Sequence, residues 1–386
     1  MALRPITRLY RLPATSFFLF GLRGVGKSTW IRRQLPDAHR FDLLDEALYQ
    51  GLLADPALFA AELRRLPAES WVVVDEVQRL PALLNEVHRF IEERGLRFAL
   101  LGSSARKLRA AGVNLLAGRA LWREMYPLTP EELGEDFDLD RTLELGALPL
   151  VLDSEAPAET LRAYVQLYLR EEIKGEALVR NLPGFARFLP IAALFHGQVV
   201  NAAGLARDAG VARTTVTGYL DILEDTLLAT RLPAYEARLR VRERKRPKLY
   251  WVDPGVVRAV KQARGPAGAE ESGALLEGWL LTLLRTYMAE RDLADAVAYW
   301  APAESSRVEV DFLLRRGSEL CALEVKASRR FHLQHLAGLR AIADLSGLRR
   351  RVLIYRGERA FTTEEGIEVW PVPIFLTALE RGELWP

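Results

Sequence analysis

One cysteine, Cys321, in 386 residues leaves no partner for an intramolecular disulfide and too few thiolates for a cysteine-based zinc site. Long apolar runs are missing as well, since none reaches the ~18 residues of a membrane-crossing helix. Between Met1 and Lys27 the arginines Arg4, Arg8, Arg11 and Arg23 break the apolar pieces apart, so no secretion-signal h-region or cleavage site forms. These absences predict an intracellular, cytoplasmic chain with no membrane partner. An excess of one charge is lacking too. With 53 basic against 51 acidic residues the net charge is +2, so a nucleic-acid partner would need a local patch rather than a global field. Lysine is scarce, seven against 46 arginines, a bias that suggests a GC-rich genome. No internal repeat or low-complexity tract is found.

What is present is a globular composition, 49% hydrophobic and 27% charged. The length predicts two or three domains. Within residues 1–130, short apolar runs alternate with helical segments. Phe17–Phe20, Phe41–Leu44, Trp71–Val74 and Arg97–Leu101 read as strands, and Ser28–Leu35 as a helix stopped by Pro36. Continuously apolar strands imply an α/β domain whose parallel sheet is covered on both faces. Residues 131–264 begin as helix, with Tyr164, Leu167 and Tyr168 on one face, and continue as two helices joined at Gly210 within Asn201–Asp225. A linker at Gly265–Ala269 opens the last part, 265–386. There a helix over Leu275–Met288 leads to strands at Val308–Leu314, Leu320–Val325 and Val352–Tyr355, with a helical segment at Leu333–Ile342.

The strongest motif is Gly21-Leu-Arg-Gly-Val-Gly-Lys-Ser, which reads G-x-x-x-x-G-K-S between a strand and a helix. Glycines Gly21, Gly24 and Gly26 let backbone N–H groups around Val25 and Thr29 approach phosphates, aided by the positive end of the helix. Lys27 would reach the β- and γ-phosphates of ATP and Ser28 would ligate Mg²⁺. Asp75 and Glu76, at the end of a buried strand, would bind Mg²⁺ through its outer shell and polarise the attacking water. Ser103 and Ser104 follow the next strand, where they either sense the γ-phosphate or cap a helix. Arg106 and Arg119 are candidates for a charge donated across a subunit interface.

Two features point to DNA. Asn201–Leu220 fits a helix-turn-helix, with Arg213, Thr214, Thr215 and Thr217 near the start of its second helix, though such a pair can equally bind protein. Next, Arg238, Arg240, Arg242, Arg244, Arg246 and Lys248 recur at every second position, so in a strand all six would face one way and meet phosphates. Pro247 interrupts that ladder. Nearer the end, Asp311 lies on one strand and Glu324 and Lys326 on the next, with Glu277 on the preceding helix. Asp311 and Glu324 could hold Mg²⁺ while Lys326 orients a water, although amphipathic strands carry such charges by chance. His332 and His335 read as solvated histidines.

The order of these parts resembles the prokaryotic AAA+ superfamily ATPases with a DUF4143 C-terminal region. The resemblance rests on Gly21–Thr29, Val74-Asp-Glu76, Gly102-Ser-Ser, Leu116-Ala-Gly-Arg119 with Pro127–Leu133, and Tyr168-Leu-Arg-Glu-Glu-Ile. It extends through Asn201–Leu227, Pro247–Gly255, Glu309-Val-Asp-Phe and Glu324-Val-Lys. It implies a P-loop ATPase core, a winged helix and a domain similar to the PD-(D/E)XK nuclease fold, with Glu277, Asp311, Glu324 and Lys326 at the positions of that pattern. By analogy it also implies homo-oligomers of the ring type, with Arg119 among the candidate arginine fingers. Three readings follow: an Mg²⁺-dependent ATPase that remodels or translocates on duplex or branched DNA, an ATP-gated DNA endonuclease, and a nucleotide-dependent regulatory switch.

Overall fold

The computed structural model describes residues 6–106, 108, 116, 118–168, 181–236, 243–303 and 308–386, with Leu167 and Tyr168 by backbone alone. Phe17–Gly21 (β1), His39–Asp42 (β2), Trp71–Asp75 (β3), Arg97–Gly102 (β4) and Leu121–Met125 (β5) form a sheet of order β2-β3-β4-β1-β5. Every neighbouring pair is parallel. Alternation divides the apolar runs between two cores. Phe18, Phe20, Val72, Val74, Phe98 and Leu100 meet one set of helices through Phe59, Leu63, Val87 and Phe90. Phe17, Leu19, Val73, Ala99 and Leu101 face the other way, onto Trp30 and Ile31 and onto Leu148, Val151 and Phe185 from the middle of the chain. Each buried phenylalanine contributes about 1.5–3 kcal/mol, so a run such as Phe-Phe-Leu-Phe is stable only where both faces are covered.

Strand β5 was not foreseen. Its Leu-Trp-Arg-Glu-Met sequence is polar at the centre because it is an edge strand, exposed at Leu121 and Trp122 and buried only at Met125. Among the described residues of this span, 130–168 and 181–194, short helices predominate, as the sequence predicts, with one departure: Tyr164–Tyr168 is a π turn, which is wider than the α spacing expected for Tyr164, Leu167 and Tyr168.

The helices Ala202–Ala209 and Arg213–Asp225 are joined at Gly210, whose φ of 62° caps the first of them. They pack with Gln198–Val199 (β6), Ala229–Leu232 (β7) and Lys248–Trp251 (β8), an antiparallel sheet of order β6-β8-β7, in a winged-helix arrangement. Helix Ala269–Arg291 then leads into a mixed six-stranded sheet. Its strands are Ala296–Trp300 (β9), Val310–Arg316 (β10), Glu319–Lys326 (β11), Leu348–Tyr355 (β12), Phe361–Thr362 (β13) and Glu368–Pro371 (β14). Phe312, Leu314, Cys321 and Leu323 share a core with the long helix and with the last helix, Val372–Arg381. Leu313, Leu320, Ala322 and Leu353 pack instead under the segment Leu333–Ala341. Among the described residues no helix is long and apolar enough to cross a membrane.

Candidate functional site

Strand β1 ends at Gly21 and the helix Lys27–Gln34 begins at Lys27, so the glycine-rich segment is the turn between them. Gly24 and Gly26 have φ of 78° and 98°, a region that disfavours a side chain. Val25 is buried and anchors the turn, whereas Thr29 is exposed on the first helical turn. Lys27 is buried, and its Nζ donates to the carbonyls of Gly21 at 2.6 Å and Leu22 at 3.3 Å. Arg8 supports the turn from the side. Its guanidinium donates to Val25 O at 2.9 Å, Tyr126 O at 2.5 Å and Glu132 Oε1 at 2.9 Å, with both partners of the ion pair almost fully buried.

The sheet order brings the acids to the turn. Because β4 lies between β1 and β3, the tip of β4 stands between the loop and the acid pair. Ser28 Oγ donates to Asp75 Oδ2 at 2.6 Å. These oxygen donors, a hydroxyl and a carboxylate in contact, suit a hard cation such as Mg²⁺. Glu76 follows with φ 56°, a strained conformation for a non-glycine residue of the sort found at functional sites. Its carboxylate accepts from Gln78 Nε2 at 2.5 Å, and the same amide nitrogen reaches Ser103 Oγ at 3.1 Å. Ser103 and Ser104 are both buried, but only Ser103 joins this network. Ser104 Oγ accepts from the Arg106 N–H at 3.1 Å, the helix-capping alternative of the two considered for it. The cleft over the turn encloses about 580 Å³ between Arg8, Lys27, Ser28, Thr29, Glu76 and Leu150.

Neither arginine considered as a finger reaches the turn of its own chain. Arg106 Nη1 donates to Asp225 Oδ2 at 2.7 Å, tying the β4 tip to the end of the winged-helix domain's second helix. Arg119 pairs with Glu92 just before β5, at the end of the parallel strands away from the loop. Arg213, Thr214 and Thr217 are exposed on the second helix and Thr215 is half-buried. The alternating basic row is described only in part. Arg238, Arg240 and Arg242 lie outside the described residues. Arg244 and Arg246 precede β8 in irregular backbone, where Lys245, of opposite parity, is exposed beside Arg246. Lys248 is buried, so it is unavailable to a phosphate.

Lys248 instead enters the second cluster of acids. Its Nζ lies 3.2 Å from Glu309 Oε2, 3.7 Å from Asp311 Oδ1 and 3.8 Å from Glu277 Oε2. Tyr250, two residues on, donates its hydroxyl proton to Glu277 Oε2 at 2.7 Å. Asp311 Oδ2 accepts from the Val325 N–H at 2.8 Å, and Lys326 Nζ donates to Glu324 Oε1 at 2.5 Å. Glu277, Asp311, Glu324 and Lys326 are therefore gathered in one place, with Glu309 and Lys248 added. Burial, then the charge of Asp311, pushes Glu277 up to about 8. Burial opposes charge on Asp311 as well, but Lys326 and Lys248 outweigh it and hold that carboxyl below its usual value. Among the described residues no N–H donor hydrogen-bonds Asp311 Oδ1 or Glu324 Oε2, although both are buried. Buried all-oxygen acceptors fit a hard divalent cation, and the carboxylates whose oxygens lie within 4.8 Å of one another are Glu277, Glu309 and Asp311, whereas Glu324, expected beside Asp311, is paired with Lys326. His332 and His335 stand apart, their ring and backbone groups capping each other's turn.

The sequence signals nothing of Arg8, Gln78 or Lys248 in these roles. Gln78 follows the acid pair by two residues, which is its only local cue.

Residues 14–134 match an AAA domain, residues 136–267 a domain of unknown function (DUF8612) and residues 272–375 a further domain of unknown function (DUF4143). Uncharacterized proteins of Mycobacterium tuberculosis and Mycobacterium bovis are each 28% identical over 388 residues, spanning 97% of this chain and 84% of theirs. A crystal structure of a Vibrio cholerae protein is 13% identical with a TM-score of 0.25, covering 96% of this chain and 98% of that one. A signal-transduction ATPase with a tetratricopeptide repeat sensor from Pyrococcus horikoshii is 11% identical with a TM-score of 0.22, covering 72% and 45% respectively.

Proposed function

We propose that this chain, which joins an AAA-family ATPase domain to a C-terminal DUF4143 region, hydrolyses ATP with Mg²⁺ and uses the cycle to remodel or move along duplex or branched DNA. The observation that carries the reading is a path of side chains from the glycine-rich turn to the winged helix. Ser28 touches Asp75, Gln78 joins Glu76 to Ser103, and two residues beyond Ser104 the Arg106 guanidinium holds Asp225. In this reading Lys27 exchanges the loop carbonyls for phosphate oxygens. Glu76, held by Gln78, orients the attacking water and takes its proton. A bound Mg²⁺ supplies charge neutralisation on the phosphates, with Ser28 and Asp75 holding it. Ser103 at the β4 tip responds to the γ-phosphate, and Arg106 carries that displacement to the helix bearing Arg213, Thr214 and Thr217. Homo-oligomers of the ring type would let Arg119 act on a neighbour.

The test is ATP hydrolysis by the full chain without DNA and with single-stranded, duplex and four-way-junction DNA, following the strands on the same gels. Stimulation by one DNA form with strands displaced intact supports the reading. Lys27→Ala and Asp75→Ala should each abolish hydrolysis and displacement, and displacement that persists in either variant sinks it. A second reading, an ATP-gated nuclease, is favoured by the buried acceptor oxygens of Asp311 and Glu324 beside Lys326. It predicts Mg²⁺-dependent cutting that Asp311→Asn removes while ATP hydrolysis remains.

A further inference from the structure

The C-terminal acids are not closed by their own domain. Strand β8 belongs to the winged-helix sheet, and its alternate residues Lys248 and Tyr250 both reach into the cluster. The Lys248 side chain is 3% exposed, and its ammonium lies 5.3 Å from the Tyr299 ring centroid. The carboxylates of Glu277, Glu309 and Asp311 surround it at 3.8, 3.2 and 3.7 Å.

The geometry around it is that of a cation site. Glu277, Glu309 and Asp311 each offer an oxygen, and these atoms all lie within 4.8 Å of one another. Metal–oxygen bonds of about 2.0–2.6 Å span such a set. Independently, Glu324 Oε2 is buried without a hydrogen-bond donor, and Asp311 Oδ1 meets no N–H donor but faces the Glu277 carboxyl and the Lys248 ammonium, so acceptor oxygens outnumber the fixed donors in the pocket. Charge decides the competition: an ammonium already neutralises part of the cluster, and a divalent ion in the same place would bring two like charges together at short range.

We propose that Lys248 and a divalent cation are mutually exclusive occupants of the Glu277–Glu309–Asp311 cluster, so that the winged-helix strand β8 keeps the DUF4143 site closed to metal until it withdraws. This concerns occupancy and stands whether or not DNA is cut.

The test uses the nucleotide-free full chain and Mn²⁺ alone, followed by electron paramagnetic resonance of free Mn²⁺ and by thermal melting. Lys248→Met, which keeps the stem length, should gain one Mn²⁺ site at least roughly tenfold tighter than any in the wild type, with a melting temperature that rises with Mn²⁺. Adding Asp311→Asn should remove that site. Equal Asp311-dependent binding by the wild type, or no gain in the folded variant, overturns the proposal. Removing the ammonium leaves buried carboxylates unpaired and can prevent folding, so a second measurement uses the wild type. Acetylation by a water-soluble succinimidyl ester should spare Lys248 in chelator and modify it several-fold more as Mn²⁺ rises, while exposed Lys245 reacts equally in both. Lys248 reactivity unchanged by Mn²⁺ overturns the proposal, as does Asp311-dependent Mn²⁺ binding with Lys248 still protected.

Discussion

In the proposed hydrolysis, Gln78 separates the role of the acid pair from its support. Its amide holds Glu76 Oε2 and Ser103 Oγ, and it touches no reacting atom, so it is a positioning residue. Gln78→Ala should lower kcat for ATP about tenfold or more with KM nearly constant, because misplacing a general base costs rate rather than binding. Ser104→Ala provides the contrast. It removes a helix cap worth about 1 kcal/mol and should leave kcat near wild type. Steady-state kinetics on both variants checks the pair, and equal losses of kcat would mean that Ser104 also acts in the network. A titration belongs to this scale too. His196 is buried between Trp251, whose N–H it accepts at Nδ1 (3.0 Å), and Gly278, and burial lowers its pKa to about 3. Above pH 6.5 both folded and unfolded forms are neutral and nothing is lost. As pH falls from 6.5 toward 3 only the unfolded chain binds the proton, so stability drops by at most about 1.4 kcal/mol per pH unit from this group. Urea midpoints at neutral and mildly acidic pH should converge less in the wild type than in His196→Asn, which keeps an acceptor but does not titrate. Arg8, His196 and Lys248 were illegible in the sequence for one reason. Their partners Glu132, Trp251 and Asp311 lie far along the chain, and no local spacing records a contact that only folding makes.

At the level of elements, what could be read depended on how completely each one is buried. Strands β1, β3, β10 and β11 were visible because their apolar runs fill two-sided cores. Strand β5 was not, because an edge strand needs only Met125 inside and tolerates Arg123 and Glu124. The helical pair around Gly210 was legible from its turn glycine. The basic row is legible only in part: Arg238, Arg240 and Arg242 lie outside the described residues, Arg244 and Arg246 precede β8, and Lys248, its first residue, turns inward, where an alternating pattern alone cannot tell a buried cation from a solvated one. The junction of helix Ala269–Arg291 with β8 gives a prediction of its own. A Cβ on Gly278 would fall 2.4 Å from His196 Cε1 and 3.4 Å from Tyr250, so Gly278→Ala overfills a packed interface. It should cost about 1–3 kcal/mol, read as a shift in the urea midpoint. Gly273→Ala, on the same helix with open space around it, should be neutral or stabilising. Equal midpoints for the two variants would place the helix differently from the arrangement described.

Across the whole molecule, one chain of contacts runs from the cleft over the glycine-rich turn to β8. Leu150 N–H donates to Gly24 O at 3.3 Å, so the cleft wall rests on the glycine-rich turn. Three residues earlier, the Ala147 N–H donates to Asp253 Oδ2 at 2.8 Å, while Asp253 Oδ1 caps the helix Pro254–Val260 by accepting from Val256 N at 3.0 Å. Asp253 lies two residues past the end of β8, the strand that carries Lys248. Packed contacts of this kind transmit a displacement only if each link has two arrangements, and hydrogen exchange can report that. Binding of a non-hydrolysable ATP analogue should change exchange in residues 21–29 and, through this chain, in residues 248–253. Asp253→Asn tests the link because the amide keeps one acceptor for the helix cap but offers a donor where Ala147 needs an acceptor. In that variant the response at residues 21–29 should persist and the response at residues 248–253 should fall away. A β8 response that survives Asp253→Asn would mean that the cleft and the Lys248 latch communicate by the other route, through Ser103, Arg106 and Asp225. Loss of both responses would mean that Asp253 serves the nucleotide site itself by fixing the wall at Leu150.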